Sequence, residues 1–406
     1  MGKHIAFLTI PAAGHINPTL PLVTELVRRG HRVSYATGPT YRSAVEAAGA
    51  TLIDLEWVPK QWKVSPQGQT TADLSAMLTG FVRASRPVMA TVEQALRDDR
   101  PDLFCYDMMT FVGSMVADRL GLREATTVAN FATNEHYDTR AAFVPADFDP
   151  SHPAFREFLA ERAAFAEDFD VPLDKVAAAG AVAPLNLVFI PREFQIAGET
   201  FDERFEFVGP AIGARAATSD WEPPAGGAPL LFISLGTAVN DRPDFFAACT
   251  KAFAGTDWQV AMAIGDQVDV ASLGEIPPNF DVRPYFPQPA VLAHATAFLT
   301  HAGMNSVMES LLNQVPMATY PQTAEQQANA GRVTALGLGR QLPELSAESL
   351  QSTVADIAAD PAIRTALADM HVHLEAAGGP VRAADAIEAS LSRSEPASDP
   401  TASTLR

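Results

Sequence analysis

Cysteine is nearly missing from this chain, which has only Cys105 and Cys249 in 406 residues. Without a CxxC spacing, neither a disulfide framework nor a cysteine-held metal cluster is expected. Cys105 falls in an apolar run and reads as a small core residue. Long apolar runs are missing as well. None approaches the roughly 20 residues of a membrane span, and MGKHIAFLTIP is too poor in apolar residues before Pro11 for a secretory signal. A soluble, cytoplasmic protein is expected. Basic residues are scarce: 29 Lys and Arg against 48 Asp and Glu give a net charge of −19 and a pI near 4.8. That balance argues against nucleic acid and anionic membranes as electrostatic partners. Neither GxGxxG nor GxxxxGK[ST] occurs, and Gly337-Leu338-Gly339 is only a fragment. Dehydrogenase, kinase and ATPase readings lose their fingerprint accordingly.

What is present is a strand–helix rhythm. The length, with 47% hydrophobic residues, suits two or three domains with large cores. Residues 4–10 are a continuous apolar run of the kind central parallel strands show. Asn17 is a candidate N-cap with Pro18 at the first helical position, and Gly30 closes that helix. Residues 32–36 read as a second strand, 41–48 as a helix ended by Gly49, and 51–55 as a third strand. This opening predicts a doubly wound parallel sheet.

His15 then follows the first strand, at the sheet end where such folds hold ligands. An imidazole there suits a base for an acceptor hydroxyl. Residues 101–107 read as another strand, ending on Asp107. Ends of parallel strands face one side, so Asp107 can accept from the imidazole N–H, fix its tautomer and stabilise its charged form. His4, His31, His294, His371 and His373 read as structural or solvated. Two stretches interrupt the rhythm: 57–85, with Trp57, Trp62 and Phe81, and 131–185, with many phenylalanines. Aromatics at helical spacing usually form core. Beside a candidate base they also suggest an apolar acceptor cleft, lined by Phe81, Phe111, Phe131, His136 and Tyr137. The DxD runs Asp147/Asp149 and Asp168/Asp170 sit in the second interruption, not after a strand, and read as surface acids.

Residues 213–229 are rich in Pro and small residues, a linker signature. Residues 230–235 start a second sheet, with Ser234 and Thr237 placed to offer hydroxyls and amides beyond its strand end. Residues 297–300 form a short apolar strand pattern, followed at once by His301-Ala302-Gly303 and a helical pattern from Met304 to Leu312. A helix N-terminus just after a strand presents free N–H groups and the positive dipole end, an anion site. Gly303 lets the backbone approach closely, and His301 adds a hydrogen bond or a positive charge. Asn305 and Glu309 share a helix face, where a carboxylate suits both hydroxyls of a ribose. Residues 315–320 read as the next strand, and Glu325 beside Gln326 opens a further helix with groups that suit a sugar. Phosphate, ribose and sugar sites in that order compete with the plainer reading of an ordinary αβ repeat.

The stretch from Tyr285 to Asn329 resembles the donor signature of family 1 UDP-glycosyltransferases. The matching residues are H-x-G-x-x-S at His301–Ser306, Glu309, and P-Q-x-x-E/D-Q at Pro321–Gln326. From about residue 4 to 390 the chain resembles actinomycete macrolide glycosyltransferases. The resemblance implies an α/β GT-B fold: two Rossmann-like, doubly wound parallel-sheet domains facing across a cleft, with a C-terminal helix crossing back. It implies an acceptor domain at 1–212, a linker at 213–229, a nucleotide-sugar domain at 230–376, the crossing helix at 377–391 and a disordered tail at 392–406. Tyr285, where Trp is more usual, stacks on uracil with Gln288 beside it. His301, Gly303 and the following amides hold the diphosphate, together with the loop of Ser234 and Thr237, while Asn305 and Ser306 line the phosphate side. Glu309 holds the ribose. Glu325, where Asp is more usual, grips the sugar with Gln326, and His15 with Asp107 forms the catalytic dyad. The activity implied is metal-independent inverting transfer of a hexose from UDP-glucose to a hydroxyl of an apolar acceptor such as a macrolide, by a monomer or homodimer with no required cofactor. A TDP-deoxysugar donor, a flavonoid-like acceptor, a nucleotide-sugar epimerase and an inactive ligand-binding relative are the rival readings.

Overall fold

The computed structural model describes residues 2–57, 70–177, 182–213, 221–224 and 226–393. Trp62, linker residues 214–220 and 225, and the tail beyond 393 lie outside the described residues. The first sheet holds β1 (His4–Leu8), β2 (Arg32–Thr37), β3 (Thr51–Asp54), β4 (Leu103–Asp107), β5 (Glu124–Val128), β6 (Asn186–Val188) and β7 (Phe205–Phe207). The second holds β8 (Leu230–Ser234), β9 (Gln259–Ala263), β10 (Phe280–Arg283), β11 (Ala297–Thr300), β12 (Met317–Thr319) and β13 (Gly339–Gln341). All pairings are parallel, in the orders β3-β2-β1-β4-β5-β6-β7 and β10-β9-β8-β11-β12-β13. Each order reverses beside its first strand, so each sheet has one switch point: between β1 and β4, and between β8 and β11. In open α/β sheets the crevice beyond the strand C-termini at such a point is where ligands bind. His15 and Asp107 flank the first, and Ser234 and His301 flank the second.

The helices are α1 (Ala13–Arg28), α2 (Arg42–Ala47), α3 (Thr71–Asp98), α4 (Phe111–Leu120), α5 (Pro153–Phe169), α6 (Pro243–Phe253), α7 (Gln288–Leu292), α8 (Met304–Leu312), α9 (Ala324–Ala335), α10 (Ala347–Ala359), α11 (Pro361–Ala377) and α12 (Gly379–Ser392). No helix among the described residues is long and apolar enough to cross a membrane. The start of α1 differs from expectation. The N-cap of α1 is Ala12, not Asn17, and Pro18 lies inside the helix. Pro18 has no N–H to give the carbonyl of Gly14 four residues back. That carbonyl instead accepts from Asn305 Nδ2 of α8, at 3.2 Å. The proline that imitated a helix start thus frees an acceptor for the other domain.

The two sheets form the GT-B arrangement, and α12 ties them together. Ala383, Ala384 and Ile387 are fully buried among Ile5, Phe7, Leu22 and Leu26 of the first domain. Arg29 pairs with Asp385 and Glu388 at 2.7 Å, and His31 with Glu388 at 3.0 Å. Helix α12 begins at Gly379, because Gly378, at φ 82, ends α11 and starts the return. Ile387→Ala is expected to lower stability by about 2–5 kcal/mol through the cavity it leaves. A urea titration followed by circular dichroism reads this, and an unchanged midpoint would show that α12 contributes little.

The core does not stop at the domain boundary. Phe131, Phe194, Phe201 and Phe205 join Phe232, Phe245 and Phe298 in one contiguous buried cluster. Phe131 stacks on Phe194 with centroids 5.8 Å apart. From α9, Arg332 donates to the carbonyls of Glu193, Phe194 and Gln195, at 2.7–3.2 Å.

Candidate active site

His15 lies in the first turn of α1, with Nδ1 2.7 Å from Oδ2 of Asp107 at the end of β4. Asp107 is 1% exposed and the imidazole 21%. The other carboxylate oxygen accepts the Met109 N–H at 2.8 Å, so the carboxylate cannot turn away. With Nδ1–H donating to Asp107, Nε2 is the basic nitrogen. Burial alone would lower the imidazole pKa. The Asp107 carboxylate, by charge and hydrogen bond, and then the Glu325 charge outweigh it, and the pKa is raised above 6.5.

The second switch point is built around His301. Its ring is 9% exposed and packs against the backbone on both sides. A Cβ at Gly236 would sit 2.6 Å from its Nε2, and one at Gly303 2.3 Å. Gly303 has an ordinary extended backbone, φ −62 and ψ 140. Glycine is therefore required at 303 for the space the imidazole fills, not for backbone freedom. Burial lowers the His301 pKa to about 4, against a smaller raising effect from the Ser234 backbone. The ring is therefore neutral near pH 7. The positive charge it was also expected to offer is absent in the free protein.

The other expected donor residues lie at or beyond the C-terminal ends of β8, β10, β11 and β12 or on the helices that follow. Helix α8 has no side-chain cap at its N-terminus, so its first amides are not spent on one. Gln288 Nε2 donates to Glu309 Oε2 at 2.7 Å and to Ser306 Oγ at 3.1 Å. Tyr285 is 55% exposed, an open ring face, with its hydroxyl donating to Asp266 at 2.5 Å. Ser234 Oγ accepts from the Gly236 N–H at 3.2 Å, and Asn240 Nδ2 donates to the Gly236 carbonyl at 2.9 Å, folding the loop of exposed Thr237. At the start of α9, Thr323 caps the Gln326 N–H, while Gln326 Oε1 accepts from the Gln322 N–H at 2.7 Å. That leaves the Gln326 NH₂ to donate. Glu325 accepts from Asn130 Nδ2 of the first domain at 2.5 Å. Glu325 is exposed as a whole, but desolvation of its carboxyl raises the pKa, opposed by His15 and then by Asn130. His15 and Glu325 thus feel each other across the cleft.

A family model described as UDP-glucoronosyl and UDP-glucosyl transferase matches residues 217–374. The chain is 38% identical to the NDP-glycosyltransferase YjiC of Bacillus licheniformis, over 96% of its own length and 98% of that protein's. It belongs to the family 1 UDP-glycosyltransferases. This glycosyltransferase is also 34% identical to the demethyllactenocin mycarosyltransferase of Streptomyces fradiae, over 96% of its length and 87% of that protein's. Its fold matches the crystal structure of the glycotransferase of kitacinnamycin with a TM-score of 0.85 at 33% identity, covering 96% of this chain and 100% of that one.

The aromatic residues expected at the acceptor site of the glycosyltransferase fall into two groups. Phe111 is 4% exposed and packs on Phe81 and Phe165 in the first-domain core, with Phe81 half-buried beside Trp57. Phe131 is 2% exposed and packs on Phe194 and Tyr137 in the shared core. His136 is exposed and lies 3.8 Å from Glu135. The DxD acids have structural duties: Asp147 accepts from the Thr71 N–H at the start of α3, and Asp168 pairs with Arg86. Sequence reasoning missed Asn130 and the part Gly236 plays. No local pattern marks Asn130, whose partner lies in the other domain. Gly236, at φ 74 after a buried strand, was within reach as a forced turn.

Proposed function

We propose that this glycosyltransferase moves a hexose, glucose first among candidates, from a UDP-sugar to a hydroxyl of an apolar small molecule of macrolide or other polyketide type, with inversion to a β-glycoside. One observation carries the reading: hydrogen bonds from Asn305 to the Gly14 carbonyl beside His15 and from Asn130 to Glu325 bring the two strand-end surfaces together, so the His15–Asp107 pair and the Glu325 carboxylate border one gap. His15 Nε2 takes the acceptor proton as the acceptor oxygen attacks the anomeric carbon. UDP departs on the other side, its growing charge met by the α8 amides and a hydrogen bond from His301. Asp107 keeps the tautomer and stabilises the imidazolium. Glu309 takes the ribose, Tyr285 the uracil with Gln288 beside it, and Ser234, Thr237, Gly303, Asn305 and Ser306 the phosphate side.

In this reading residues 1–212 bind acceptor and 230–376 bind the nucleotide sugar. Phe81, His136 and Tyr137 present the acceptor surface, with Phe111 and Phe131 packed behind. The protein acts in the cytoplasm, without a cofactor. The Streptomyces fradiae relative, a mycarosyltransferase, supports a second donor reading, a deoxysugar on TDP. Mass spectrometry of a matrix of donors and acceptors decides between them. UDP-glucose with a macrolide should give a hexosylated product and UDP, with neither formed when acceptor is omitted. Consumption of donor alone would indicate an epimerase, and product from TDP-deoxysugars only would replace the donor assignment.

A further inference from the structure

The turn after β11 has a backbone feature that the donor residues do not account for. Ala302 is wholly buried and left-handed, at φ 62, a conformation that a residue with a Cβ adopts only when its surroundings hold it there. Two contacts do so. Its N–H donates to Thr300 Oγ1 at 3.2 Å, and its carbonyl accepts from Asn329 Nδ2 of α9 at 3.0 Å. Asn329 is 0% exposed, and its Oδ1 has no partner. A buried amide that wastes its oxygen is a poor choice for packing alone, which directs attention to what the nitrogen does.

The described peptides are all trans. In a trans peptide the carbonyl and the next N–H point in opposite directions. Because Asn329 draws the Ala302 carbonyl toward α9, the Gly303 N–H points away from α9. Among the described residues no protein group accepts it. We propose that Asn329 is a positioning residue: by holding the Ala302 carbonyl it keeps the Ala302–Gly303 peptide turned so that the Gly303 N–H donates to the diphosphate. A flipped peptide would set a carbonyl against the phosphate oxygens instead. The inference rests on the reading above that the diphosphate lies at this turn, and assigns that turn a residue that touches no ligand.

Calorimetric titration of the full chain with UDP and with uridine tests it. Asn329→Ala should weaken UDP about tenfold or more, the scale of one hydrogen bond to a charged group, while uridine stays within about twofold. Asn329→Leu, nearly isosteric, should do the same and serves if the alanine variant does not fold. For the unaltered protein, hydrogen exchange at the Gly303 amide should slow with UDP and not with uridine. Equal weakening of both ligands, no weakening of either, or an amide indifferent to UDP overturns the role of Asn329. Should the unaltered protein bind uridine as tightly as UDP, the placement of the diphosphate at this turn fails, a result distinct from loss of the Asn329 effect alone.

Discussion

His15→Ala should cut kcat for sugar transfer by about 10²–10⁴, the usual share of a positioned general base, with UDP affinity kept within about twofold. The separation follows from where the ring sits. It is anchored to Asp107 of the first domain, whereas the expected nucleotide contacts belong to β8, β11, α7, α8 and their loops, all in the second domain. Removing it takes away a proton acceptor without touching the diphosphate pocket. Steady-state kinetics with calorimetry on the same sample reads both quantities. Turnover near that of the unaltered enzyme would remove His15 from the reaction.

Asp107→Asn should produce a loss of similar size, about 10²–10³ in kcat, together with a change in pH dependence that His15→Ala cannot show. In the unaltered enzyme the His15 pKa is raised, by Asp107 before Glu325, against burial. The base form is therefore complete only above that raised pKa, and kcat/KM falls as pH drops through it. With an amide at 107, the burial that lowers the pKa remains while its largest opponent is gone. The acid limb of the profile should move to lower pH even as the plateau drops. A limb that stays in place would mean another group sets it.

How much of this was legible in the sequence depended on whether the deciding contact was local. The limits of β11 and α8 agree with those read from sequence, 297–300 and 304–312, because an apolar strand abuts a polar turn with no ambiguous residue between. The start of α1 was misjudged because Pro18 looked like a first helical residue. What makes it tolerable inside the helix is Asn305, a partner in the other domain. Asn130 escaped notice for the same reason, since Glu325 lies in α9. Phe111 and Phe131 were ambiguous because aromatic spacing is the same for a residue that lines a cleft and one that backs it. His301 was left open between hydrogen bond and charge, and its burial between two glycine backbones, one from β8's loop, speaks against the charge.

The cluster that runs from Phe131 and Phe194 into the second domain limits how the molecule can open. Parting the halves there would wet apolar surface at about 25 cal/mol for every Å², whereas releasing Asn130 from Glu325 or Asn305 from Gly14 gives up single hydrogen bonds worth about 1–3 kcal/mol each. Any opening of the two halves is therefore expected to resemble that of book covers, with the greasy flank as the spine and the polar margin as the edge that parts.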